Sequence, residues 1–405
     1  MPESVLQPNP LDGSRSTRAN DTFHPVLVNF PQPRPLHLSH PVTFVLVGGF
    51  LGSGKTTALA ALGRSLTKAG HRVGFITNDQ APNLVDTASL QILDAPVAEV
   101  AGGCFCCRFE DLLDAAQSVL NQDVDVLLCE PVGSCTDMVA TVIAPLQQFY
   151  GESLRLAPFT VLVDAHRLRQ SALDELPQLF PDEVSYIFRK QLEEADLVCL
   201  NKIDMLPEGE AERLQQALVE WLGRPALGIS ALHGDGMAEW QRLLFAGSAP
   251  GSHALREIDY DTYALGEAEL GWLNGTVRLS GPTAIDGAHF VEILILAIRD
   301  ACRAAGAEIA HVKLSLTAGG ETIRANVTRS SEDPRLEGSL SNPVSAADLV
   351  INARVRMDPE FLREMVTDAV ACASTEQGAD AEITSIQSFR PGYPHPPYRI
   401  PSLGG

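Results

Sequence analysis

Val45-Leu46-Val47-Gly48-Gly49-Phe50-Leu51-Gly52-Ser53-Gly54-Lys55-Thr56-Thr57 passes from an apolar run through a glycine-rich turn into an amphipathic pattern carrying Leu59, Leu62 and Leu66 on one face. The run reads as a buried strand and the pattern as a helix. Between them, Gly49 to Thr56 fits Gly-x-x-x-x-Gly-Lys-Ser/Thr, the phosphate-binding loop. Its glycines let backbone N–H groups curl around phosphate oxygens at a helix N-terminus, where the dipole already favours an anion. Gly49, Gly52, Ser53, Gly54 and Thr57 are candidate cradle residues. Lys55 is expected to reach the β- and γ-phosphates, and the Thr56 hydroxyl to hold Mg²⁺. A nucleotide site is implied.

From about 41 to 246 the chain alternates strand and helix patterns, which argues for a mainly parallel, doubly wound sheet with helices on both faces. Strands are predicted at Thr43–Val47, Val73–Thr77, Val124–Cys129, Phe159–Val163, Leu197–Leu200 and Leu227–Ile229. Helices are predicted at Thr56–Ala69, Glu110–Leu120, Met138–Phe149, Glu183–Glu194, Glu208–Leu222 and Met237–Phe245. In such sheets a ligand sits beyond the carboxyl ends of the strands.

The chemistry-bearing residues fall at those ends. The second predicted strand runs into Asn78-Asp79-Gln80, and the third into Glu130-Pro131-Val132-Gly133. Glu130 is a candidate Walker-B acid for Mg²⁺ or its water, and the Gly133 N–H a candidate sensor of a γ-phosphate. Hydrolysis needs a positioned water, so Lys55, Asp79 and Glu130 are the candidate catalytic residues, with Asp79 also a candidate Mg²⁺ ligand. The fifth strand ends in Asn201-Lys202-Ile203-Asp204. The Asp204 carboxylate can accept from guanine N1–H and the 2-amino group, a pair that adenine lacks. Asn201 is expected at the other base edge, with the Lys202 stem over the ring. Buried polar contacts of this kind reject the wrong base strongly. Ser230-Ala231-Leu232, after the sixth strand, is placed to offer a backbone N–H to guanine O6. GTP is expected over ATP.

Cys104, Cys106 and Cys107 put three thiols within four residues on the turn opened by Gly102-Gly103. Clustered thiolates suit Zn²⁺, Cu⁺ or an Fe–S centre, whereas Mg²⁺ and Ca²⁺ prefer oxygen. Cys135 is a candidate fourth ligand; water or a partner's side chain are the alternatives. Inert buried thiols or a redox pair are the competing reading of the cluster. Cys129, Cys199, Cys302 and Cys372 read as packing residues.

A formal charge of −21 argues against nucleic-acid binding, and no apolar run is long enough to span a bilayer. Residues 1–21 lack a basic stretch followed by an apolar one, so no secretory signal is expected. These features imply a cytoplasmic protein. Residues 1–40 read as a disordered, proline-rich arm, 247–255 as a Gly/Ser/Pro linker and 391–405 as a proline-rich tail lying on the surface or loose. Between linker and tail, 256–390 has another rhythm. Trp272, Asn274, Thr276 and Arg278 alternate with Leu273, Val277 and Leu279 in a strand pattern, and Phe290, Ile293, Leu294, Ile298 and Ala301 make a helical stripe. Val312/Leu314/Leu316, Ile323/Ala325/Val327 and Leu349/Ile351/Val355 read as strands, Asp358-Pro359 as a helix start, and Glu382–Phe389 as a further strand. The order suggests a small α+β unit of ferredoxin-like type. His289 and His311 read as core or edge residues, and this unit is expected to dock a client or a second subunit.

Gly-Gly-Phe-Leu-Gly-Ser-Gly-Lys-Thr-Thr, Gly-Gly-Cys-Phe-Cys-Cys, Glu-Pro-Val-Gly and Asn-Lys-Ile-Asp occur here in that order. Together they resemble the CobW-type branch of the CobW/HypB/UreG metallochaperone GTPases, over roughly 43 to 246. The resemblance implies a GTPase that binds Zn²⁺, Co²⁺ or a similar ion at Cys104, Cys106 and Cys107. It implies delivery of that ion to a client metalloenzyme or cofactor-biosynthesis pathway under nucleotide control. The sequence offers no arginine finger, so activation by a homodimer or a client is expected. Asn78-Asp79 is closer to the HypB/UreG form than to the Asn-Glu usual in CobW-like chains, and the ten histidines form no metal-buffering run. Two readings from other classes stand beside it: a P-loop small-molecule kinase, and a thiol redox or scaffold protein with a static nucleotide.

Overall fold

The apolar run Val42–Gly48 is β1, the middle of a parallel sheet in the computed structural model, which describes residues 31–78, 95–170, 181–247, 250–340 and 343–401. The other strands are β2 (Val73–Asn78), β3 (Val97–Val100), β4 (Val126–Glu130), β5 (Leu154–Leu156), β6 (Thr160–Asp164), β7 (Leu197–Asn201) and β8 (Ala226–Ile229). They run in the order β3-β2-β4-β1-β6-β7-β8, with β5 beside the start of β1. Strands covered on both faces need apolar side chains on both, hence the unbroken runs read from the sequence. Leu59, Leu62 and Leu66 of the helix Lys55–Lys68 pack on Val45, Val47, Val126 and Leu128. All six predicted strands and six helical segments of this region are present. β3 and β5 are additional, and are too short to announce themselves by pattern. The predicted helix Met138–Phe149 differs in detail: Val139–Ile143 is a π-turn continuing into the helix Ala144–Tyr150. Pro145 has no N–H to give the preceding turn, and wider π-turns arise at such interruptions.

The register aligns the functional edge. Thr77 lies beside Glu130, Asn78 beside Val100, Asp164 beside Asn201, and Asn201 beside Ile229. The phosphate loop, the cysteine turn, the loop 131–137 and the Asn-Lys-x-Asp turn therefore all leave one edge of one sheet.

The second sheet is antiparallel: β9 (Gly271–Ile285), β10 (Ile309–Ala318), β11 (Glu321–Val327), β12 (Arg335–Gly338), β13 (Val344–Val355) and β14 (Asp380–Phe389), ordered β12-β11-β10-β13-β9-β14. The helix Gly287–Ala304 connects β9 to β10, and Pro359–Gln377 connects β13 to β14. This is the ferredoxin-like βαββαβ order with a β11–β12 hairpin added at one edge. Asp358 caps the second helix through the N–H groups of Glu360 and Phe361, as the Asp-Pro pair predicts. Phe290, Leu294 and Ile298 meet Leu314, Ile323, Leu349 and Ile351 in the core. Cys302 is buried there, whereas Cys372 is exposed and not the packing residue expected. The sheet's other face is polar: the pairings set Trp272, Arg354 and His311 in one row, and Asn274, Asn352, Lys313 and Asn326 in the next.

Residues 33–405 form one compact unit. Within it, Gly251 and Ser252 of the Gly/Ser stretch donate to Asp196. His37 exchanges hydrogen bonds with Gln117 on the helix Phe109–Leu120. Segment 391–401 lies across the parallel-sheet domain: Tyr398 packs on Phe109 and Phe149, Arg399 pairs with Asp137 at 2.7 Å, and the Ile400 N–H donates to Ala140 O at 2.8 Å. No helix among the described residues is long and apolar enough to cross a membrane.

Candidate nucleotide and metal site

The phosphate loop is built around backbone that L side chains avoid: Gly52 and Gly54 sit at φ +79° and +89°. A side-chain carbon on Gly54 would lie 2.5 Å from Asn201 Nδ2. Asn201 itself is buried and laces two loops together, donating to Ser53 O at 2.8 Å and accepting from the Ala231 N–H at 3.0 Å. Of the backbone N–H groups of Ser230-Ala231-Leu232, that of Ala231 is thus engaged by Asn201, and Asn201 braces loops as well as flanking the cavity. Ser230 Oγ donates to Asp204 Oδ1 at 2.7 Å, steadying the carboxylate proposed to read the base. Lys202, at φ +66°, pairs with Asp164 Oδ2 at 2.7 Å. Burial alone would push the Asp164 carboxyl up, but Lys202 and Arg167 outweigh it and hold it at about 2. Asp164, a single acid at the end of an apolar strand, belongs to no motif legible in the sequence.

Thr56 Oγ1 lies 2.9 Å from Glu130 Oε2, and Lys55 Nζ 3.9 Å from Glu130 Oε1. A hydroxyl beside a carboxylate is an oxygen donor set of the kind Mg²⁺ takes. The buried Ser53 Oγ has no hydrogen-bond partner among the described residues, as suits a group meant for a phosphate oxygen. The glycine cradle, Lys55, Thr56 and Glu130 therefore fit a Mg²⁺-bound nucleotide. Asp79 and Gln80 lie outside the described residues.

The thiol sulfurs of Cys104, Cys106 and Cys135 lie within 4.8 Å of one another, and all three residues are buried. Cys104 and Cys106 are 2.6 Å apart, Cys106 and Cys107 3.8 Å. A tetrahedral site with metal–sulfur bonds of about 2.3 Å has sulfurs roughly 3.8 Å apart, so an ion would widen the first gap and match the second. Cys135, proposed from sequence as an additional ligand, stands in the core of the cluster, while half-exposed Cys107 stands at its rim. The Cys106, Cys107 and Cys135 thiols together hold the Cys104 thiol well below its ordinary value, making it the favoured thiolate. Cys106 is pushed up, chiefly by Cys104. The sulfur-rich donor set fits a soft transition ion.

Two elements brace this cluster. Asn78 holds the cysteine turn with three bonds: Nδ2 to Val100 O at 3.0 Å and Gly103 O at 2.7 Å, and Oδ1 from the Phe105 N–H at 2.8 Å. From the helix Tyr260–Ala268, buried Glu267 accepts from Ser134 Oγ, and burial followed by the nearby Cys104 raises its carboxyl well above the usual range. Glu267 lies more than a hundred residues from the cysteines in sequence, which is why no local pattern revealed it. The His395 N–H donates to Cys107 Sγ at 3.2 Å, so segment 391–401 touches the cluster's rim.

One cavity of about 450 Å³ spans the nucleotide motifs, lined by Lys55, Thr56, Asn78, Glu130, Lys202 and Asp204 on one side. Its opposite wall is the polar face of the second sheet, including Trp272, His311, Lys313, Arg324 and Arg354. His311, expected as a core or edge residue, is one of these wall groups. Arg167 and His166 clamp the two sides: Arg167 Nη2 donates to Thr328 O at 2.9 Å, and His166 Nδ1 meets Glu332 Oε1 at 2.9 Å.

Residues 43–224 match the family model described as CobW/HypB/UreG, nucleotide-binding domain. The chain is 28% identical over 208 residues to the zinc chaperone YjiA of Escherichia coli K12, covering 48% of this chain and 59% of that protein. It is 29% identical over 249 residues to the zinc chaperone CobW of Pseudomonas aeruginosa, covering 53% and 61%. The match thus spans about three fifths of each relative's length. A crystal structure of Zn(II)-bound YjiA GTPase from E. coli aligns over 82% of this chain and 99% of that one, at 18% identity and a TM-score of 0.32. Residues 43–224 are accordingly similar to the nucleotide-binding domain of CobW/HypB/UreG proteins.

Proposed function

We propose that this protein is a GTP-hydrolysing metallochaperone that holds Zn²⁺ or Co²⁺ on Cys104, Cys106 and Cys135, with Cys107 at the rim, and passes it to a client under nucleotide control. One observation carries the reading: a single loop joins the two sites. Gly133 abuts the phosphate loop, where a side-chain carbon would lie 3.0 Å from both Lys55 Nζ and Leu51 N. Two residues on, Cys135 enters the thiol cluster. Asn78 makes a second link, since it lines the nucleotide cavity and pins the cysteine turn.

In the mechanism, Gly49–Thr57 would hold the phosphates, Thr56 and Glu130 the Mg²⁺, and Asp204 the guanine edge. Bound Mg²⁺ supplies charge neutralisation at the phosphates. Glu130 is poised to orient a water against the terminal phosphate. A shift of Gly133 on losing that phosphate would move Cys135 relative to Cys104 and Cys106. Metal affinity and nucleotide affinity are then coupled reciprocally.

The test is a Zn²⁺ and Co²⁺ titration of the full chain with GTP analogue, GDP or no nucleotide. The expected outcome is a dissociation constant that differs between nucleotide states by about fivefold or more. Replacing Cys104 and Cys106 with Ser is expected to abolish metal binding and spare GTP binding. Metal titrations indifferent to nucleotide would overturn the coupling, and thiols that cycle to a disulfide without metal would favour the redox reading.

A further inference from the structure

The second sheet does more than dock beside the phosphate loop. A side-chain carbon on Gly52 would lie 2.9 Å from Thr328 Cγ2 and 3.2 Å from Ala310 O, so β10 and the end of β11 press on the loop itself. At that point the pairing of β10 with β13 shifts register between Ile309 and His311. Irregularities of this kind re-aim side chains beside active sites. Beyond it, His311 and Lys313 take successive places on the polar face, and Arg324 stands opposite Ser315 on the next strand.

His311 and Arg324 carry polar atoms that lack hydrogen-bond partners among the described residues. His311 is only 7% exposed, and its Nδ1 has no hydrogen-bond partner among the described residues. Arg324 has buried Nε and Nη2 atoms, again without a hydrogen-bond partner. Its cross-strand neighbour is Glu337, which stabilises the charge without engaging those two nitrogens. Buried polar groups in folded proteins are paired in the great majority of cases. The orphaned atoms of His311 and Arg324 line one cavity with Lys55 and Thr56, beside Glu332 and Glu337, and suit the oxygens of an anionic ligand.

We propose that β10 and β11 are the second wall of the nucleotide site, so that a nucleoside triphosphate cradled by Gly49–Thr57 is also bound at its outer phosphates by His311, Lys313 and Arg324 of the same chain. The assignment rests on reading Gly49–Thr57 as a phosphate loop. It goes further by giving the second sheet a task in substrate binding and in telling tri- from diphosphate. The imidazole of His311 is held neutral by burial and then by Lys313, Arg354 and Lys55, so it can meet a phosphate oxygen as an N–H donor. A diphosphate, one phosphate shorter, leaves Lys313 and Arg324 less engaged. The sheet's grip on the loop then depends on which nucleotide is bound.

The experiment compares Lys313→Gln and Arg324→Gln with the unaltered full chain, using a non-hydrolysable GTP analogue and GDP. Each variant is expected to weaken the triphosphate about tenfold or more and GDP less than about threefold. Unchanged affinity for both nucleotides, or equal loss for both, overturns the proposal. A second arm needs no substitution: a GTP analogue with a photoreactive group on its γ-phosphate should label residues 309–327. Label confined to 43–246 overturns the proposal while leaving the nucleotide reading intact. Failure of the unaltered chain to bind either nucleotide sinks both.

Discussion

Glu194 shows how one buried acid reports on the ground beneath the metal loop. It accepts from the Val139 N–H at 3.0 Å and from Thr136 Oγ1 at 3.1 Å, and burial pushes its carboxyl up to about 8 from an ordinary 4.5. A carboxyl raised in the folded state binds its proton more tightly there than in the unfolded chain. Its contribution to stability is therefore full below about pH 4.5 and is lost as pH rises towards 8. Glu194→Gln mimics the neutral acid, and is expected to narrow the gap in melting temperature between pH 5 and pH 8, measured by calorimetry. An unchanged gap would mean that Glu194 is ionised when folded. Residues of this sort were illegible in the sequence. Lys55, Thr56 and Asp204 announced themselves because their neighbours in the chain carry the motif. Asp164, Glu194, Glu267 and His311 acquire their surroundings from segments far away in the chain, and a lone polar residue beside apolar ones reads the same whether it is a core residue or a wall of a cavity.

Among the elements, the loop 131–137 has the hardest task, because it must fit the phosphate loop at Gly133 and the thiol cluster at Cys135. Gly133→Ala brings a methyl group 2.8 Å from Leu51 Cδ2 and 3.0 Å from Lys55 Nζ. The backbone on either side is buried, so the clash is expected to displace the phosphate loop and cut GTP affinity by about tenfold or more, measured by equilibrium titration. Wild-type affinity would show that the loop yields without consequence. Element existence was legible wherever apolar periodicity ran for five residues or so: β1, β4, β10 and the helix Gly287–Ala304 all follow from pattern. The same pattern predicted a half-buried first strand in the second sheet, yet Trp272 and Asn274 are buried as well as Leu273. The polar face of that strand is covered at Trp272 and Asn274 and open to water at Arg278, and alternation alone cannot tell one destination from the other.

At the scale of the molecule, the two sites are closed from different directions. The second sheet covers the nucleotide cavity, and segment 391–401 crosses the cysteine turn, tied down by Tyr398 Oη on Glu110, Arg399 on Asp137 and Ile400 on Ala140. Cys104, Cys106 and Cys135 are 4%, 2% and 3% exposed. Were an ion held there, a competing chelator in solution could not reach the bonds to these three sulfurs until something swings aside. The pace of ion loss should then be set by that opening and not by the scavenger: adding more chelator speeds release only to a plateau. Loosening the cover with Tyr398→Ala and Arg399→Ala should lift the plateau, read by stopped-flow with a colour-forming chelator. Release that keeps climbing in proportion to chelator would mean the ion sits within reach of solvent. A carrier built with a plateau of this kind is deaf to stray ligands around it and answers only to whatever moves its cover.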